Sequence, residues 1–317
     1  MNIIFMEPIY KDYIWGGQKL KHKFKKNAPF KKTAESWEIS SNENGNCKIK
    51  NKEYEGKNLK ELFEDEQLKK DIFGRKCLKF KEFPLLIKFI DARENLSIQV
   101  HPDDAYAKKM GLNNGKSEMW YIIDCKAKGK IIAGINKNLE KKELKETIEC
   151  NNVKKYLKYI EIKKGDSIYI PAGTLHAILK NTFICEIQQN SDITYRVYDW
   201  DRKDSNGNNR TLNYKEALDV IKTKNTPYII HNDNKVQEQI LSSNKFFEVK
   251  KINNKKTYID YSDENTFYAI NILNGAGILQ TNNRKYKIKR GDSFIIPATL
   301  GEYKINGKIE ALKSYVV

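Results

Sequence analysis

Over most of this chain, apolar residues recur at every second position or in short unbroken runs. The segments "FPLLIKFIDA" (83–92), "SEMWYIID" (117–124), "DSIYIPAG" (166–173), "TFICEIQQ" (182–189) and "DITYRVYDW" (192–200) are rich in β-branched and aromatic residues. Each is flanked by Gly, Asn, Asp or Pro, and each predicts a strand. In "ENLSIQVHPDDAYA" (94–107) a strand runs into a turn, with Ser97, Gln99 and His101 on one face and Ile98 and Val100 on the other. Three segments carry a helical pattern instead. "NLKELFEDEQLKKDIFG" (58–74) begins with Asn58 as N-cap and has Gly74 just past its end. "NLEKKELKETIECNNVKKYLKY" (138–159) predicts a helix interrupted at "CNN", and "NYKEALDVI" has a cap pattern from Asn213 to Glu216. Many strands with few helices predict a mainly β fold, an antiparallel sandwich or barrel.

One internal repeat organises the chain. "IKKGDSIYIPA" (162–172) recurs as "IKRGDSFIIPA" (288–298), identical at eight of eleven positions. A Gly-Asp turn, a strand and a closing Pro-Ala make up each copy. The offset of 126 residues is too long for a solenoid, so it indicates two copies of one β-domain. The division expected is a first domain over 1–225, with helical additions, and a second over 226–317.

Composition narrows the function classes. The 317 residues suffice for a sizeable core, and 18 Tyr and 13 Phe supply apolar mass where the hydrophobic fraction is only 39%. The net charge of +17 is spread over the whole chain, without an arginine-rich block or basic-aromatic motif. A nucleic-acid partner is therefore not expected, but the positive field favours a small anionic substrate. Five separated cysteines without a CxxC pair argue against a cysteine-built zinc site and fit a reducing compartment. The opening "MNIIFMEPIYKDYIW" lacks the pattern of a secretory signal, and no apolar run approaches the length of a membrane span. A cytoplasmic protein with no membrane partner is expected.

The hairpin "GD", strand, "PAG" and His176 resembles the second motif of the cupin family, small jelly-roll barrels with metal ligands facing inward. The resemblance places Gln99-Val100-His101 in the slot of the first motif's H-x-H, and Glu118 of "GKSEMWYII" in the glutamate slot. A helical turn, "DDAYAKKM", and a Gly-Asn loop lengthen the segment between them. The second copy has Glu302 where the first has His176, and no histidine in "FYAINILNGAGIL". It is therefore expected to be a degenerate cupin without a metal site. Either histidine alone would be read as an ordinary interior residue, and His22 and His231 as surface residues. Two histidines and a glutamate at cupin positions point to a metal, and the set suits a catalytic zinc or the facial triad of an Fe(II) oxygenase.

Other residues favour the former. Lys88 lies in an apolar strand, Glu186 and Gln188 share one strand face, Arg196 follows in "YRVYDW", and Lys116 precedes Glu118 by two. Cations and a carboxylate around one metal suit a phosphorylated, hydroxylated substrate. With "YIWGGQKL", "AESWEIS" and "PLLIKFIDARENLSIQVHPDD", the chain resembles the type I mannose-6-phosphate isomerases of the short bacterial form, most strongly over 7–202. That resemblance implies two cupin-type jelly-roll barrels and zinc-dependent interconversion of mannose 6-phosphate and fructose 6-phosphate through an enediol. It implies zinc held by Gln99, His101, Glu118 and His176, with Lys88, Lys116, Glu186 and Arg196 lining the active site. The tyrosine that longer members carry two residues after the last histidine ligand is Ile178 here. The general base is open between Glu186 and a lysine, and a non-catalytic sugar-binding cupin is the remaining alternative.

Overall fold

A computed structural model describes residues 1–136, 139–150, 152–203, 207–233 and 235–317. Seven strands form one sheet, in spatial order Tyr228–Ile230, Ser167–Ile170, Glu118–Asp124, Thr182–Gln189, Leu85–Ala92, Glu35–Ile39 and Ile9–Lys11. A second, five-stranded sheet runs Leu157–Ile162, Gly129–Ile135, His176–Ile178, Ile98–Val100 and Tyr195–Tyr198. No strand of one pairs with a strand of the other, so the two sheets make an open jelly-roll sandwich rather than a closed ring.

The C-terminal third builds its own sheet from Glu238–Ser243, Glu248–Asn254, Glu302–Tyr315, Tyr268–Gln280 and Ser293–Ile296, with Thr257–Tyr261 and Lys285–Lys289 at its sides. Two early strands, Ile4–Glu7 and Lys48–Ile49, complete it, with Ile4 opposite Ile295. The repeat is real in three dimensions. Ser167–Ile170 pairs with Glu118–Asp124 as Ser293–Ile296 pairs with Tyr268–Gln280, Ile170 meeting Glu118 and Ile296 meeting Tyr268.

Period-two patterning divides each strand between two cores. Met119, Tyr121 and Ile123 pack with Phe183, Cys185 and Ile187 against Val249, Ala269 and Leu312 of the C-terminal sheet. The alternate residues, among them Trp120, Ile122, Ile184 and Ile90, form a separate core inside the first jelly roll. Helices Lys141–Glu149 and Tyr214–Val220 cover the outer face of the five-stranded sheet through Leu144, Ile148, Ala217 and Val220.

The helical expectations hold in part. Asn58 caps Leu59–Glu64 through a reciprocal box with Glu61. Asp65 then restarts the chain as a short turn leading to Gly74, whose φ of 86° ends it. Between 138 and 159 only Lys141–Glu149 and a single turn at Val153–Tyr156 are helical; Asn138 and Asn151 lie outside the described residues. Leu157–Ile162 is a strand, because its backbone pairs with Gly129–Ile135 and that pairing overrides local propensity. Asn213 precedes its helix, but its side chain accepts from the backbone N–H of Arg196 at 3.2 Å rather than capping. The helix Lys19–Phe24 gave no clear period and was not expected.

Candidate functional site

Two cross-strand rows face each other inside the first jelly roll. On the seven-stranded sheet, Trp37, Lys88, Glu186 and Trp120 are successive register partners across four strands. On the five-stranded sheet the corresponding row is Ala133, His176, Gln99 and Arg196. His101 follows the strand Ile98–Val100 with the same facing as Gln99, and Lys116 precedes Glu118 in the same way. All eight predicted site residues therefore gather in one place, although they span more than a hundred positions of sequence, from Lys88 to Arg196.

At its centre His101, Glu118 and His176 are fully buried, with ligand atoms all within 4.8 Å of one another. Glu118 Oε1 lies 3.2 Å from His176 Nε2, and Oε2 lies 3.4 Å from His101 Nε2. Each histidine uses Nδ1 on a backbone carbonyl: His101 on Ile193 at 2.7 Å, His176 on Thr174 at 2.8 Å. Carbonyls only accept, so both Nδ1 atoms carry the proton and both Nε2 lone pairs aim at the same point. Neither Glu118 oxygen has a hydrogen-bond donor, although the Lys116 ammonium is 2.9 Å from Oε2. An orphaned buried carboxylate beside two imidazole lone pairs is a donor set for a divalent cation. Gln99 joins the cluster through its amide nitrogen, 3.4 Å from His176 Nε2. A half-turn of that amide would present Oε1 instead.

The protonation pattern suits a cation. Burial, with the Lys116 charge, lowers the His101 imidazole to about 3, and burial also lowers His176. Burial alone would raise the Glu118 carboxyl, yet the adjacent Lys116 ammonium leads the charges that hold it well below its usual range. The site thus offers two neutral imidazoles and one carboxylate.

From the cluster a cavity of about 370 Å³ opens to solvent, walled by Lys88, Gln99, Lys116, Glu186 and Arg196. Lys88 sits 3.5 Å from Glu186 Oε2 and 3.7 Å from Glu35 Oε2, over the face of Trp37 at 4.8 Å. Burial lowers its affinity for a proton, but Glu35 and Glu186 outweigh that and raise it, so Lys88 is an ammonium. Burial and the Glu118 charge raise Glu186 above the normal carboxylate range. Arg196 has a buried Nε without a hydrogen-bond partner. Glu35, Trp37, Tyr13 and Arg210 also line the cavity and were missed from sequence. Glu35 and Trp37 had a signal, since the fully buried strand "ESWEI" leaves two carboxylates needing partners. His22 is exposed as expected, and His231 is exposed while bonding Asp166 at 2.8 Å. Among the described residues, His101, Glu118 and His176 form the only group of such ligand types this close, so none occurs in the second jelly roll.

A mainly β chain with a His/Glu/His cluster inside its first jelly roll is a cupin, and its C-terminal residues 237–316 match the mannose-6-phosphate isomerase cupin domain. Residues 3–126 match the catalytic domain of type I phosphomannose isomerase, and the chain belongs to that family of aldose–ketose isomerases. It is 39% identical to the probable mannose-6-phosphate isomerase GmuF of Bacillus subtilis (strain 168), over 98% of both chains. It is 35% identical to the mannose-6-phosphate isomerase of Streptococcus mutans serotype c, again over 98% of both. The crystal structure of the mannose 6-phosphate isomerase from Bacillus subtilis superposes with a TM-score of 0.92 at 35% identity, covering all of both chains. This membership removes the iron-oxygenase reading. No helix among the described residues is long and apolar enough to cross a membrane.

Proposed function

We propose that this chain interconverts mannose 6-phosphate and fructose 6-phosphate with zinc held by His101, Glu118 and His176, and with Gln99 as a fourth contact. What supports the metal is the buried Glu118 carboxylate, its Oε1 without a hydrogen-bond donor and its Oε2 met only by the Lys116 charge, facing two Nε2 lone pairs. A divalent ion bound there supplies electrostatic stabilisation for negative charge on the sugar oxygens. In this reading residues 1–225 form the catalytic domain and 226–317 a second cupin domain without a metal, although Tyr228–Ile230 joins the sheet of the first, and Ile4–Glu7 and Lys48–Ile49 that of the second. The five cysteines are unpaired, in keeping with a reducing, cytoplasmic setting.

The remaining steps belong to side chains. Glu186 is the candidate to move the proton between C1 and C2 as an enediol forms. Its raised proton affinity brings it nearer the range where a carboxyl both takes and returns a proton at neutral pH. Lys88 is charged, so it serves as a donor to substrate oxygens rather than as the base. Arg196 has an unused buried Nε beside the cavity, a geometry that suits the phosphate. Lys116, 3.1 Å from His101 Nε2, stands between the ligand cluster and the cavity, where it balances the developing charge.

Chelation followed by assay tests the reading. Metal-stripped protein should lose mannose 6-phosphate isomerisation, and zinc should restore it with one ion bound per chain. Undiminished turnover by metal-free protein would refute the metal role while leaving the family assignment intact.

A further inference from the structure

The row Trp37–Lys88–Glu186–Trp120 ends in a residue that the reaction as described does not use. Trp120 is fully buried on the strand Glu118–Asp124, two positions after Glu118 and on the same face. Its Nε1 donates to Glu186 Oε1 at 3.0 Å. The Lys88 ammonium lies nearest the other oxygen, Oε2. The same indole meets the His176 ring edge-on, with centroids 5.5 Å apart and planes at 70°. One side chain thus touches both the candidate ligand His176 and the candidate base Glu186.

The second jelly roll shows what the fold requires at this position. There the equivalent row reads Ile240, Lys250, Lys313, Ile270, in the same register and followed by Phe294 where the first has Ile168. Isoleucine 270 therefore fills the place of Trp120, and Lys313 that of Glu186. A sheet of the same design folds with an aliphatic residue at that position when its partner on the neighbouring strand is a lysine rather than a glutamate. Packing alone does not call for an indole N–H.

We infer that Trp120 is a positioning residue for the isomerisation. Its N–H fixes Glu186 Oε1 so that Oε2 faces the cavity, and its ring sets the spacing between that carboxylate and His176. The inference rests on the reading of Glu186 as the proton-transferring group. A carboxylate free to rotate away from the sugar carbons would lose rate far more than binding, because misplacement of a reacting group acts on the transition state.

The test compares Trp120→Phe, Glu186→Gln and Ile270→Val as zinc-loaded full chains, with kcat, KM and bound metal measured on each. Phenylalanine keeps a ring against His176 and removes the N–H. The expected result for Trp120→Phe is a kcat lower by about 10- to 100-fold with KM within about twofold and metal content unchanged. Ile270→Val should leave kcat as it is. A kcat near that of the parent, a loss that follows loss of metal, or an equal loss in Ile270→Val would each overturn the positioning role. Glu186→Gln separates the two layers: an active variant removes the underlying reading, whereas an inactive one beside a normal Trp120→Phe removes only this inference. Should Trp120→Phe fail to fold, benzothienylalanine at position 120 replaces N–H with sulfur in nearly the same ring shape, and the same criteria apply.

Discussion

Arg196 shows how much one side chain depends on its fork. It pairs in register with Gln99 and reaches the cavity with a buried Nε that no protein group satisfies. Burial first, and Arg210 second, make its own charge harder to hold, so an anion in the cavity relieves both. Replacing it by lysine keeps the charge but removes the planar pair of donors. Arg196→Lys should therefore raise KM for mannose 6-phosphate by about 10-fold, the worth of one charge-assisted hydrogen bond, with a smaller effect on kcat. Steady-state kinetics decide it, and an unchanged KM would place the phosphate elsewhere in the cavity.

At the scale of elements, the two copies of the same row differ by a charge reversal as well as by the exchange of both tryptophans for isoleucines. Glu186 in the first becomes Lys313 in the second, and the Lys313 ammonium is enclosed by Asp260 Oδ2 at 2.8 Å, Tyr258 OH at 2.9 Å and Glu238 Oε2 at 3.1 Å. The second jelly roll thus balances its own carboxylates with a lysine, where the first places the Glu186 carboxylate. Burial opposes ionisation of both acids, but Lys250, Tyr258 and Lys313 outweigh it at Glu238, and Lys313 with Tyr303 outweighs it at Asp260, so both carboxyls are held below their usual range. Their folded-state affinities for protons are lower than the unfolded ones, so the stabilisation is complete above the unfolded carboxylate values near 4 and fades as pH falls below them. Lys313→Met should cost roughly 2–3 kcal/mol at neutral pH, less than a fully buried pair because both acids keep some solvent contact. It should also flatten the acid limb of stability, which urea titrations between about pH 2.5 and 6 would reveal against that reference. A parallel shift at every pH would contradict the ionic account.

These elements also show what could be read from sequence. Strands such as Thr182–Gln189 were legible because alternation is imposed by two cores, one on each face, and the repeated Gly-Asp hairpin exposed the duplication. The His101–Glu118–His176 cluster was legible because its residue types are costly inside a sheet unless they find partners. Glu35 and Trp37 were harder to find, since a buried Glu–Lys–Trp contact is defined by register across strands and leaves no spacing in one segment. Leu157–Tyr159 was misread as helix because its partner strand, not its own composition, decides its state. Nothing in the pattern of "SEMWYIID" singles out Trp120, and only its N–H contact to Glu186 distinguishes it.

For the whole molecule, the interface between the two jelly rolls determines whether they unfold separately. Their facing sheets contribute to one apolar core, with Phe89, Met119 and Ile187 on one side and Phe247, Leu273 and Leu312 on the other. A buried ionic link crosses the same interface. Glu38 accepts from Lys26 Nζ at 2.6 Å and from Ser293 Oγ at 2.7 Å, the serine belonging to the second copy of the Gly-Asp hairpin. Both Glu38 and Lys26 are nearly excluded from water, so removing the negative charge leaves an ammonium without its counter-ion at low dielectric. Glu38→Gln should cost about 3 kcal/mol and lower Tm by several degrees, while kcat of the folded enzyme stays unchanged because Glu38 does not reach the cavity. Calorimetry should record one cooperative transition for both proteins, moved as a unit. Were the halves energetically independent, the substitution would split the trace, with the catalytic sheet melting at its original temperature and only the second moving. A continuous core of this kind predicts the single transition, and it gives the second copy a physical role: it buries the outer face of the sheet that carries Lys88, Glu118 and Glu186.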